Sequence, residues 1–186
     1  FYQGYGNEGK LTREIIRAAA EQYYQHVKAF PRYISATHSI CEDLEKRRIL
    51  LENLQDEENK DGDHPKLWKN FAKALGADEK EIEKVKLDWF TKDMIDNFFS
   101  QARKSYAEGL ASLYTYERQI PEIAETKIQG LKKFYGVKSK EGLEFFEAHK
   151  SADVIHRAEC EKLLDSLSKE EQEKAEAASM LTARYL

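Results

Sequence analysis

Between Glu141 and Leu167 the apolar side chains recur at helical spacing. At 100° per residue, one stripe collects Phe145, Phe146, His149, Asp153, His156, Cys160, Leu163, Leu164 and Leu167. Such a stripe is the buried face of an amphipathic helix. The rest of the chain points the same way, with 9 Gly and 3 Pro in 186 residues and 34% charged side chains, a balance that favours long helices over strands and turns. An all-α fold is the expectation. A chain of this length can bury one continuous core without disulfides. No repeat or low-complexity linker divides it, so residues 1–186 are expected to form one helical domain.

Charge and cysteine usage narrow the function classes. A net charge of -4 and a pI near 5.8, with both signs interspersed, leave no basic footprint for nucleic acid. Cys41 and Cys160 are far apart with no CxxC, which argues against a disulfide framework or a thiolate metal site. No apolar run approaches the roughly 20 residues of a membrane span, and no secretory signal is present. A cytoplasmic protein with reduced thiols is therefore expected. The chain begins at Phe1 and ends inside a helical pattern at Leu186, so its first and last helices are expected to be trimmed. Walker, GxGxxG and GxSxG motifs are missing, and the acidic stretch Asp56 to Asp63 places Lys60 where an EF-hand needs an oxygen ligand.

Punctuation predicts the elements. A helix from Leu11 to Ala29 is expected to end at Pro31, with a second from Arg32 to Glu58. His64-Pro65 opens a short helix closed by Gly76, and Asp78 to Lys86 forms a charged turn or two. A long helix is expected from Lys92 to Tyr135, interrupted by Pro121 and closed by Gly136. Glu141 to Leu167 and Lys169 to Leu186 complete the set.

Polar residues inside apolar stripes mark the candidate site. An ionised Asp153 between His149 and His156 on a buried face needs compensating charge or hydrogen bonds, from either a His-Asp-His hydrogen-bond ladder or a metal. Glu117 interrupts the stripe Leu110, Leu113, Tyr114, Ile120 and Ala124, with a salt bridge to Arg103 or Arg118 as the alternative to ligation. Glu57 shares a face with Leu50 and Leu54, whereas Glu58 points to solvent. His64, across a polar loop, can fold back beside Glu57 or serve only as a helix-start residue. Together, three His and three carboxylates suit iron or manganese. The i, i+4, i+7 spacing of His149, Asp153 and His156 covers about 10 Å of rise, which suits two ions better than one. His26 and His38 read as structural or pocket-lining.

The ordered series Tyr23-Tyr24-Gln25-His26, Phe30-Pro31-Arg32-Tyr33, Glu52-Asn53-Leu54, Asp56-Glu57-Glu58, His64-Pro65, Leu67-Trp68, Tyr116-Glu117-Arg118-Gln119-Ile120-Pro121 and His149-xxx-Asp153-xx-His156 resembles the haem-oxygenase-like dimetal oxidases. Within them it is similar to the branch of the chlamydial death-domain-associating proteins and of relatives formerly labelled pyrroloquinoline-quinone-synthase-like. The resemblance implies a seven-helix haem-oxygenase-like bundle, usually a homodimer, holding Fe/Fe or Mn/Fe and using dioxygen and an external reductant. Its six ligand positions fall on Glu57, His64, Glu117, His149, Asp153 and His156. It further implies synthesis of para-aminobenzoate for folate from a sacrificed tyrosine of the protein itself, with Lys127 as amino donor. Phe1-Tyr2 before Gly9-Lys10-Leu11-Thr12 matches the sacrificed position, although the linker Gly4-Tyr5-Gly6-Asn7 is one residue longer than usual and lacks its Trp, which leaves Tyr5 as a second candidate. Tyr116 is expected to relay an oxidising equivalent. The rival expectations are a dimetal oxidase of an external small molecule, a metal-free oxidase, and a non-catalytic protein that engages death domains. The cysteine context of thiamin-degrading relatives and the proximal His of haem-degrading ones are not evident.

Overall fold

Side-chain caps set most helix starts. Thr12, Asp43, Asp63, Asp78, Asp88, Ser105, Ser139 and Ser168 each accept a hydrogen bond from a first-turn amide, which satisfies a donor that the helix itself leaves open. The computed structural model describes residues 8–60 and 62–186, except for the side chains of 151–155. Among the described residues the elements are α1 (Arg13–Ser39), α2 (Leu44–Glu57), α3 (His64–Ala74), α4 (Glu79–Lys84), α5 (Trp89–Lys104), α6 (Tyr106–Glu117), α7 (Ile120–Phe134), α8 (Lys140–Asp165) and α9 (Lys169–Ala183), with no strand. None of these helices is long and apolar enough to cross a membrane.

Two boundaries differ from expectation. The helix expected to end at Pro31 runs through it to Ser39, and the break falls at Ile40 to Asp43. Phe30, Tyr33 and Ile34 flank Pro31 and are at most 3% exposed, so the packing they gain outweighs the roughly 3 kcal/mol of a helix-interior proline. The expected helix from Lys92 to Tyr135 is three helices, because Ser105 adopts an extended conformation and caps α6, and a second break falls just before Pro121. This division raises the count of helical segments above seven.

The core forms around α1, which packs against α2, α3, α4, α5 and α6. One apolar cluster gathers Tyr24 and Val27 of α1 with Trp68 and Phe71 of α3, Ile128 and Leu131 of α7, and Phe145 and Phe146 of α8. A second joins Phe30, Tyr33 and Ile34 to Phe98, Leu110, Leu113, Tyr116 and Cys160. Helix α8 contributes Phe146 to the first cluster and Cys160 to the second, and His149 and His156 lie in the interval. Helix α9 packs on α6 through Ala107, Ala111, Ala175 and Ala178.

Close approach of α1 to α6 depends on Gly109. A Cβ there would lie 2.5 Å from Thr37 Oγ1 and 3.2 Å from Ala102 Cα, and Thr37 is fully buried. Gly109→Val is expected to lower stability by about 2–3 kcal/mol through overpacking. Urea unfolding with an unchanged midpoint would contradict this contact.

Candidate metal centre

Glu57 ends α2 and His64 begins α3, so the turn between them returns the chain to the same spot. His64 Nδ1 lies 2.6 Å from Glu57 Oε2, and both side chains are 7% exposed. At that distance the Glu57 charge acts directly on the His64 ring. His149 of α8 completes the group. Its ring centroid is 4.3 Å from that of His64, and one donor atom each from Glu57, His64 and His149 lies within 4.8 Å of the others.

Tautomer and charge follow from the surroundings. His149 Nδ1 is 2.7 Å from the Phe145 carbonyl, and since a carbonyl only accepts, Nδ1 carries the hydrogen and Nε2 the lone pair. Burial, then the neighbouring His64, hold the His149 pKa well below its ordinary value. Burial also pushes His64 down, but the Glu57 carboxylate outweighs it, and the net shift is upward.

Glu117, at the end of α6, is 2% exposed, and burial raises its carboxyl to about 7. It is within electrostatic reach of both Glu57 and His156. The salt-bridge alternative does not hold: Glu117 accepts from Asn53 and Cys160, while Arg103 lies over the Phe99 ring and Arg118 is exposed. His156 is buried, with Nε2 3.1 Å from Asp56 Oδ2. Asp153 falls within α8, but its side chain lies outside the described residues, as do Tyr2 and Tyr5.

Five of the six expected donors thus have described side chains. They come from four helices, all are buried, and they combine two carboxylates with three imidazoles. Two buried carboxylates in mutual repulsion call for a cation, and the convergence of Glu57, His64 and His149 donor atoms, with the Nε2 lone pair of His149 left open, fits a metal ion.

Beside the donors is a small, partly open cavity whose lining includes Lys127, Tyr23, Trp68, Tyr116, Phe146 and His149. Lys127 is half-buried as a residue, and its ammonium end lies 5.5, 5.9 and 6.0 Å from the ring centroids of Phe146, Tyr23 and Trp68. Burial lowers its pKa from 10.5 to about 8. Tyr116 is buried against Phe30 and His26, at 4.8 and 5.1 Å between centroids. His26 is fully buried among aromatic rings, with neither ring nitrogen hydrogen-bonded, and burial lowers its pKa to about 3. Sequence reasoning missed Asn53, Asp56 and the aromatic wall around Lys127. The spacing Asn53, Asp56, Glu57 (i, i+3, i+4) was the available signal for the first two.

A family model described as "Iron-containing redox enzyme" matches residues 17–186. This chain belongs to that family. It is therefore a metal-binding redox enzyme. It is 43% identical over 181 residues to the 4-aminobenzoate synthase of Chlamydia trachomatis, covering 97% of this chain and 78% of that one. It is 42% identical over 159 residues to the 4-aminobenzoate synthase of Nitrosomonas europaea, covering 80% and 65%. A solved TenA homolog from Pseudomonas syringae pv. tomato superposes with a TM-score of 0.82 at 16% identity, over 99% of this chain and 80% of that one. At that identity the match speaks for the helical-bundle fold alone.

Proposed function

We propose that the chain is a dimetal oxygenase that makes 4-aminobenzoate from its own residues, with Tyr2 supplying the ring and Lys127 the amino group. The observation that carries this reading is the cavity in which the amine of Lys127 and the ring of His149 share a wall. Two metal ions, Fe/Fe or Mn/Fe, held by Glu57, His64, Glu117, His149, Asp153 and His156, would supply reduction of dioxygen with electrons from an external reductant. The family to which the chain belongs and the names of its relatives support this choice among redox reactions.

The chain's own residues do the rest. Burial among Trp68, Phe146 and Tyr23 lowers the Lys127 pKa to about 8, against the attraction of the ring faces for its ammonium, and so raises the share of neutral, nucleophilic amine. Tyr116, between Glu117 and the cavity, is the relay residue of the proposal. The free space is about that of one water molecule, so admission of a phenol requires a lining side chain to move. Tyr2 can reach it. Gly9, with φ 61°, lies against Phe134 at the end of α7, and the seven residues back to Tyr2 can span up to about 25 Å. Lys127 is seven positions before Phe134 on the same helix, about 10 Å of rise. A homodimer belongs to the proposal on the resemblance.

Aerobic incubation with Fe(II), Mn(II) and a reductant, followed by intact and peptide mass spectrometry, tests the reading. Mass changes at Tyr2 and Lys127 with release of an aromatic amine are expected. Unmodified Tyr2 and Lys127 with no amine would overturn it, and modification at Tyr5 would move the ring donor there.

A further inference from the structure

We propose that Asn53 and Cys160 are positioning residues that fix the carboxylate of Glu117, one at each oxygen. Asn53 Nδ2 donates to Glu117 Oε1 at 2.7 Å, and the Cys160 thiol donates to Oε2 at 3.6 Å. Asn53 is 3% and Cys160 2% exposed, so water does not compete for either contact. In this orientation the Asn53 amide donates, which matches the ionised carboxylate of Glu117. Two donors on two oxygens fix the plane of the carboxylate and leave a lone-pair site on each oxygen for a further partner.

The same face of α2 holds a second contact. Asn53, Asp56 and Glu57 lie at i, i+3 and i+4, and Asp56 Oδ2 is 3.1 Å from His156 Nε2. The end of α2 thus offers Glu57 itself, reaches Glu117 of α6 through Asn53, and reaches His156 of α8 through Asp56. Side chains that hold metal ligands in this way govern affinity without touching the ion. The inference rests on Glu117 being a metal ligand.

Mn(II) binding to the metal-free, full-length chain under anaerobic conditions, followed by the EPR signal of free Mn(II), provides the test. Asn53→Leu is expected to weaken one binding step by about 10- to 100-fold. Cys160→Ala should weaken the same step, whereas Cys160→Ser, which keeps a donor, should restore it. A double-mutant cycle separates positioning from a general structural effect: in a Glu117→Gln background, Asn53→Leu should have little further effect. An equal loss in both backgrounds, or unchanged binding in Asn53→Leu and Cys160→Ala, overturns the positioning role while leaving the ligand role of Glu117 intact. Unchanged binding in Glu117→Gln alone removes the ligand reading and this inference with it. If Asn53→Leu does not fold, Asn53→Asp keeps the shape and opposes Glu117 with like charge; it is expected to weaken the same step, and unchanged binding would overturn the proposal.

Discussion

Lys127→Met is expected to form no 4-aminobenzoate while keeping the helical fold. The amine is a reactant in the proposed chemistry, so its removal leaves nothing to transfer, whatever the state of the metal centre. Methionine has nearly the same length and can pack against the wall of Tyr23, Trp68 and Phe146 without the amine. Lys127→Arg, which keeps the charge without a transferable amine, should be equally inactive. Product from either variant in the parent's yield would exclude Lys127 as donor.

The titration of Lys127 gives the same prediction a pH axis. Its pKa falls from 10.5 to about 8 because burial disfavours the ammonium. Between about pH 8 and 10.5 the folded chain has lost this proton while the unfolded chain retains it, so stability rises with pH across that window. Below about pH 8 the buried charge opposes folding in full. The stability of Lys127→Met relative to the parent should therefore be highest below pH 8 and decline toward pH 10.5. Product formation by the parent should increase from pH 7 to 9 with a midpoint near 8, as the neutral amine becomes the main species.

How much of this could be read from sequence depends on the range of the forces involved. The stripe of α8 is a local periodicity, and it placed His149 and His156 on a buried face without reference to the rest of the fold. Glu57 and His64 were legible because one polar turn joins them. The continuity of α1 through Pro31 was not, since local chemistry argues for a stop and only the contacts of Phe30, Tyr33 and Ile34 with other helices override it. Ser105 has good capping chemistry, but nothing local distinguishes it from Ser100 or Ser112, which lie inside helices. Asn53 stayed hidden for a related reason, as its partner Glu117 is 64 positions away. The cage around Lys127 joins side chains of α1, α3, α7 and α8, a juxtaposition created by the fold.

His149→Ala should remove both metal-dependent stabilisation and product. Of the three donor atoms within 4.8 Å of one another, that of His149 is the most firmly oriented, because the Phe145 carbonyl holds Nδ1 and leaves Nε2 as the lone pair. A ligand that binds only the folded state at about 100 times its dissociation constant adds about 2.7 kcal/mol. For a chain of this size that raises the melting point by about 5–10 °C. The parent should show this rise with Mn(II), and His149→Ala almost none. An equal rise in the variant would exclude His149 from the centre. Acid should reverse the effect in the parent through other residues. His149 is already neutral, its pKa lying well below the ordinary value, so it presents no proton barrier to a metal. His64, whose pKa Glu57 raises against the pull of burial, and Glu117, whose carboxyl burial raises to about 7, must lose their protons first. The Mn(II)-dependent rise in melting point should accordingly fade as pH drops through the raised pKa values of these two groups. In Glu57→Gln, which removes a charge that raises both, any rise that survives should fade at lower pH.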